Sequence, residues 1–220
     1  MAEAPPSNAA PVFNEHFRRR FEDLVAWRRD IRHFKPDPVD PALVDDLIRL
    51  ACLAPSVGNS QPWRFVMVDD PALRVRVRAN FATANSDALH DYDGERAKLY
   101  ASLKLSGLDR APVQVALFCD GAGALGHGLG SRTMPQTLEH SVAGAAVILG
   151  LAARAKGVGV GYVSILDPER LKADLEVPEA WQFVSYMCIG WPDIADSPEP
   201  ELQRRGWQDR KPHGSFVYRR

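Results

Sequence analysis

The longest apolar run of the chain, "LEHSVAGAAVILGLAARAKG" from Leu138 to Gly157, constrains the fold more than any other segment. Glu139, His140 and Arg154 leave an uncharged stretch near the lower limit of the roughly 17 to 25 residues that a bilayer span requires. A central buried helix is therefore expected, and no membrane partner. Ala143, Gly144, Ala145 and Ala146 are small enough to admit another helix at close range, which suits a dimer seam. With 45% hydrophobic residues in 220, the chain can bury one core around such a helix without a second domain.

The other elements follow from caps and periodicity. Asn14 can cap a helix with Phe17, Phe21, Leu24 and Val25 on one face. Asp40 followed by Pro41 is a start signal, and Leu43, Val44, Leu47, Ile48 and Ala51 form the buried stripe of a helix that stops before Pro55. Strands are expected in "RFVMV" (Arg64–Val68), "APVQVALFCD", "VGVGYVSIL" and "QFVSYMCIG", each β-branched or aromatic and bounded by Gly, Pro or Asp. Residues 71–110 read as polar helix interrupted by "SDALHDYDGER", a mobile excursion with a lid expected around 85–110. The fold class is α+β, a mostly antiparallel central sheet flanked by helices. Residues 1–12 read as a disordered tail, and 13–220 as a single domain.

Several function classes are disfavoured. Lys and Arg number 27 against 28 Asp and Glu, so no global basic field draws the chain to nucleic acid. Cys52, Cys119 and Cys188 lie apart in apolar stretches, reading as buried thiols in a reducing cytoplasm. The start, "MAEAPPSNAAP", has neither the charged nor the apolar region of a signal peptide. The six histidines show no ligand spacing, so no metal is implied, and the GxSxG elbow is absent. "GAGALG", Gly121–Gly126, satisfies GxGxxG, but "HGLGSRTMPQ" follows where a dinucleotide site needs a helix, leaving a flexible surface loop.

Two segments carry chemistry. "WRRDIRHFKP", residues 27–36, places Arg28, Arg29 and Arg32 where a helix ends, and guanidinium forks suit phosphate oxygens. "APSVGNSQPW", residues 54–63, puts Ser56, Asn59, Ser60 and Gln61 on a short loop between rigid elements. Amides there can match the edge of a heterocycle whose atoms alternate donor and acceptor. Together with "GVGVGYVSI" beyond the long helix, these segments resemble the nitroreductase-like flavoprotein family from about Trp27 to Trp191.

The resemblance implies an FMN site made of Arg28, Arg29, Asp30, Ile31 and Arg32, then Pro55, Ser56, Asn59 and Gln61, then Ser102, Leu103, Val163 and Ser164. It adds a basic residue from the pair Arg204 and Arg205. Three features are most similar to a branch that spends reduced FMN as a substrate and fragments it with O2: Asp30, Ser164 and the lid-like stretch "GERAKLYASLKLSGLDRAP". Asp30 is then the expected proton-transfer group at the ribityl chain, with an ion pair to Arg32 as its plainer alternative. Ser164 is expected to hydrogen-bond near flavin nitrogen 5. Closure around Leu103 would exclude water and a nicotinamide, so a separate flavin reductase would supply reduced FMN. The alternative within the family is an NAD(P)H-dependent nitroreductase or enone reductase that keeps its FMN. The resemblance also implies a homodimer, with the arm 198–220 embracing the partner and the short run Ser215–Tyr218 exchanged as a strand.

Overall fold

The computed structural model describes residues 10–123 and 125–220. Most of the expected tail therefore lies outside the described residues, and residues 10–12 are exposed without regular structure. Four strands, β1 (Trp63–Met67), β2 (Val113–Cys119), β3 (Gly159–Val163) and β4 (Gln182–Gly190), form one sheet in the order β1-β2-β4-β3. Every neighbouring pair is antiparallel, with Val115 opposite Met187 and Gly161 opposite Cys188.

The two faces of the sheet hold separate cores, as side-chain alternation requires. On one, Val115, Leu117, Met187 and Ile189 pack under α5 (Thr137–Ala155) and α2 (Pro41–Ala51). On the other, Ala116, Phe118, Tyr186 and Cys188 meet α3 (Pro71–Leu89) and α6 (Pro168–Asp174) through Val77 and Leu171. By length and composition alone α5 is apolar enough to cross a membrane. Its apolarity is accounted for by Val142, Ala145, Leu149 and Ala153, which are buried against the sheet.

The capping signals hold at atomic level. Asn14 accepts from the Phe17 N–H at the start of α1 (Glu15–Trp27), and Asp40 accepts from the Ala42 N–H at the start of α2. Asp70-Pro71 and Asp167-Pro168 repeat the Asp40-Pro41 device at α3 and α6.

Several expectations need correction. The stripe of α1 is not covered by its own chain: Phe17, Phe21 and Val25 are about half exposed and no residue of the helix is buried. The third strand ends at Val163, so Ser164–Leu166 form a turn into α6, a helix the sequence reading omitted. The polar excursion comprises two helices, α3 and α4 (Gly94–Ser102), with Tyr92 between them stacked on Tyr100 at 5.0 Å. Cys119 and Cys188 are buried as expected, but Cys52 at the end of α2 is exposed. In the single chain His213–Phe216 make a 3-10 turn and Ser215–Tyr218 stand exposed; the strand expected there is one that adds to a partner subunit.

Candidate active site

The arginine segment is placed by two glycines. Ile31 donates its N–H to Val160 O at 3.0 Å, and residue 30 bridges Val160 in parallel, so the segment closes the outer edge of β3. That approach is possible only because β3 lacks side chains where the two backbones meet. A Cβ on Gly161 would lie 2.0 Å from Ile31 O, and one on Gly159 would lie 2.9 Å from the Ile31 side chain. Gly161 therefore serves close backbone approach, and Gly159 makes room for the Ile31 side chain.

Asp30 sits in the resulting fold of chain with both carboxylate oxygens engaged. Oδ1 accepts from the Tyr162 N–H at 2.7 Å, while Arg32 places Nη2 and Nε 2.8 and 2.9 Å from Oδ2. Burial raises the Asp30 pKa above the usual 3.8, and the Arg32 charge and the Tyr162 hydrogen bond pull against it without cancelling it. The ion pair with Arg32 is thus present. It does not exclude proton transfer, because each carboxylate oxygen has two acceptor sites and Oδ1 uses one. Tyr162 is partly buried, desolvation raises its phenol to about 12, and its O–H donates to Ala146 O at 2.7 Å.

Around Asp30 runs a narrow crevice lined by Arg28, Arg29, Arg32, Arg154 and Arg204. Arg32 is committed to Asp30 and reaches Lys104 O at 3.4 Å, and Arg154 is paired with Asp196 at 2.9 Å. Arg28 and Arg29 have no carboxylate partner among the described residues. Arg29 donates to the backbone oxygens of Ala26, Arg28 and Pro198, while its Nε is buried and unpaired. Burial, then the charges of Arg210, Arg28 and Arg154, lowers its pKa from 12.5. Asp196, Glu199 and Glu201 line the crevice as well, yet Arg28 and Arg29 stay without a carboxylate partner among the described residues, and this pair with its orphaned donor fits a phosphate. Of the two C-terminal candidates, Arg204 on α7 (Glu201–Arg204) lines this crevice, while Arg205 lines only the neighbouring hollow beside His33. The hydrogen-bonded pair His33 and Glu201, 3.3 Å apart, docks α7 onto the arginine segment.

The second segment has the marks of a constrained loop. Gly58, Asn59 and Gln61 all have positive φ, at 57°, 54° and 47°, two of them at residues for which that conformation is costly. Ser56 Oγ accepts from the Gln61 N–H at 3.1 Å, the Val57 N–H donates to Ser141 Oγ at 3.1 Å, and Ser60 Oγ is buried without a partner. The glycine-rich segment after β2 opens no helix, as expected, yet it is not a free loop. Gly126 packs so closely that a Cβ there would meet Gly58 O at 2.2 Å.

Among the described residues, none of the second segment lines the crevice around Asp30. Arg28 reaches α5 near Gly150 and Val57 reaches it at Ser141, nine residues apart and about 13 Å along the helix axis. Ser164 is exposed just past the end of β3, two residues beyond the Tyr162 that holds Asp30 and so roughly 7 Å along the chain. Pro55 and Ser102 are exposed, Leu103 is partly buried and Val163 is buried; none of the four lines the arginine crevice. The sequence reading missed Tyr162, Arg154 and the role of the glycines. The alternation G-V-G-Y-V was the available signal for the last, since glycine in a strand marks close backbone approach.

Residues 25–191 match the model of the nitroreductase family. The chain belongs to that family. Among its relatives are the 5,6-dimethylbenzimidazole synthases of Rhodospirillum rubrum and Rhodobacter capsulatus, 53% identical over 203 residues and 48% over 200. These alignments span 92% and 91% of this chain and 96% of each relative. Among solved structures, oxidized iodotyrosine deiodinase bound to FMN and 3-iodo-L-tyrosine shares the fold with a TM-score of 0.69 at 23% identity, over 82% of this chain and 94% of that one. A nitroreductase-like protein of Streptococcus mutans superposes with a TM-score of 0.66 at 19% identity, covering 91% and 98%.

Proposed function

We propose that the chain catalyses the oxygen-dependent fragmentation of reduced FMN to 5,6-dimethylbenzimidazole and erythrose 4-phosphate, the route to the lower ligand of vitamin B12. The likeness to the two synthases over more than nine-tenths of the chain supports the reaction. The observation that supports the mechanism is Asp30, an anion held among arginines at some electrostatic expense, where a reductase that preserves its flavin needs only a neutral partner.

Reduced FMN supplies the electrons for oxygen and the carbon skeleton of the product. Arg28, Arg29 and Arg204 hold its phosphate. Asp30, fixed by the Tyr162 N–H and by Arg32, takes and returns a proton at the ribityl chain. Ser164 donates or accepts a hydrogen bond near flavin nitrogen 5. The amide groups of Asn59 and Gln61, with Ser56, address the polar edge of the ring. Ser102 and Leu103, at the end of α4, close over the ring and keep water out.

The assembly in this reading is a homodimer with FMN at its interface, and a separate flavin reductase supplies the reduced flavin. The separation of the two half-sites along α5 supports this, as do the half-exposed Phe17, Phe21 and Val25 of α1 and Val147 of α5. Purified protein given reduced FMN and then air is expected to lose FMN and form 5,6-dimethylbenzimidazole in matching amounts. Intact FMN together with sustained NADH oxidation on a nitroaromatic acceptor would overturn the proposal in favour of a nitroreductase.

A further inference from the structure

The turn that carries Ser164 is held at its far end by a residue that no part of the flavin site contains. Asn80 lies in the middle of α3, 1% exposed, and with Val77 it is one of only two buried residues of that 19-residue helix. Its side chain forms a two-point amide clamp on a backbone 87 positions away: Nδ2 donates to Asp167 O at 2.9 Å, and Oδ1 accepts from the Asp167 N–H at 2.8 Å. Both polar ends of the Asn80 amide and both backbone groups of Asp167 are thereby used.

Asp167 is a junction. Its side chain caps α6, accepting from the N–H groups of Glu169 at 2.9 Å and Arg170 at 3.1 Å. Three residues earlier stands Ser164, and between them Leu166 is buried in the α3-facing core. On the other side of Ser164, β3 is fixed to β4 through Val163 opposite Tyr186, and to Asp30 through Tyr162. The segment 164–166 thus has a sheet at one end and, at the other, the Asn80 amide together with the first turn of α6, whose Leu171 N–H also donates to Asp167 O at 3.0 Å. Only the amide belongs to the α3–α4 excursion, the region that ends at Ser102 and Leu103.

An apolar side chain at position 80 could pack against Leu166 and Leu171, but it would leave the Asp167 N–H without its present partner. What an apolar side chain could not do is fix the position of a backbone along its own direction. We propose that Asn80 is a positioning residue for Ser164: its clamp on Asp167 sets where the Ser164 hydroxyl stands relative to the flavin, and it ties that placement to the base of the α3–α4 excursion. The proposal rests on the role given to Ser164 under the proposed function.

The test compares Asn80→Ala with Val77→Ala, a cavity-forming change one turn away on the same buried face that leaves the clamp intact. Two quantities are measured on the full chain: amide hydrogen exchange of residues 164–167, and 5,6-dimethylbenzimidazole formed per O2 consumed from reduced FMN. Asn80→Ala should speed exchange in the turn by about tenfold or more through local opening. It should also cut product per O2 severalfold while reduced FMN binds as before. Val77→Ala should lower thermal stability yet keep the yield per O2. Should Asn80→Ala not fold, Asn80→Ser retains one hydrogen-bonding group in the same space and is expected to give the same effects in smaller degree.

Unchanged exchange in the turn, an unchanged yield per O2, or an equal loss of yield in Val77→Ala would overturn the proposal. The exchange measurement needs no turnover. If the wild-type protein formed no product at all, the synthase reading would fall on that result, while exchange would still decide whether Asn80 holds the turn.

Discussion

Replacing Gly161 by alanine perturbs the seat of Asp30 from a residue that is not itself among the proposed flavin contacts. The new Cβ would lie 2.0 Å from Ile31 O, and since the obstacle is backbone it cannot rotate away. Relief requires the Asp30–Ile31 backbone to lift off β3 by about 1 Å, a misplacement that in an oriented site costs about 100-fold in rate. The same movement strains the 3.0 Å Ile31–Val160 hydrogen bond and the 2.7 Å bond from the Tyr162 N–H to Asp30. Overpacking of this kind costs about 1–3 kcal/mol and each of the two weakened hydrogen bonds about 1 kcal/mol, so a loss of roughly 3–5 kcal/mol of stability is expected. Urea unfolding gives the stability, and product formed in a single turnover of reduced FMN with air gives the rate. A variant with wild-type stability and product within twofold of wild type would refute the claim that the glycine exists to seat Asp30.

Other perturbations separate the roles. Asp30→Asn should keep FMN binding yet lower fragmentation by about 100-fold to 10,000-fold, the range for loss of a general base; near-normal product in quenched single turnovers would sink the assignment. Because the Asp30 pKa is raised above 3.8, the wild-type rate should fall with acid at a pH above the ordinary carboxylate range. The linked stability has the opposite sense. The folded protein holds this proton more tightly than the unfolded chain, so Asp30's contribution is full below pH 3.8 and is lost as pH rises through the folded value, a trend that denaturation of Asp30→Asn should lack. Ser164→Gly should leave oxygen uptake while reducing product, and an equal fall in both would remove Ser164 from the steering role. Truncation after Gly206 should weaken dimerisation and FMN binding together; a truncated chain that sediments as a dimer and binds FMN normally would make the arm an appendage.

The parts of the fold legible in the sequence were those set by local chemistry. Asp40-Pro41 with its apolar stripe marked α2, and the β-branched runs marked all four strands. The same Asp-Pro signal stood at Asp167-Pro168, but seven residues offer too little periodicity to declare a helix, so α6 escaped notice. The stripe of α1 was correctly phased, yet a stripe does not say whether its own chain or another covers it. In the candidate site, the arginines and Asp30 were legible because the chemistry is written in adjacent residues. The clamp on Asp30 was not, because Tyr162 lies 132 positions away and contributes only its backbone N–H. Asn80 was hidden for the same reason, being one polar residue among many on α3 until the backbone it grips is seen.

The most direct test of the account follows the carbon. FMN labelled with carbon-13 throughout its five-carbon ribityl chain is reduced without air, bound to the protein, and exposed to oxygen for one turnover. The account predicts one labelled carbon in the 5,6-dimethylbenzimidazole and four in the erythrose 4-phosphate, with an equal loss of FMN. Recovery of the labelled FMN intact and reoxidised, with neither fragment formed, would contradict the claim that this crevice consumes the flavin it binds.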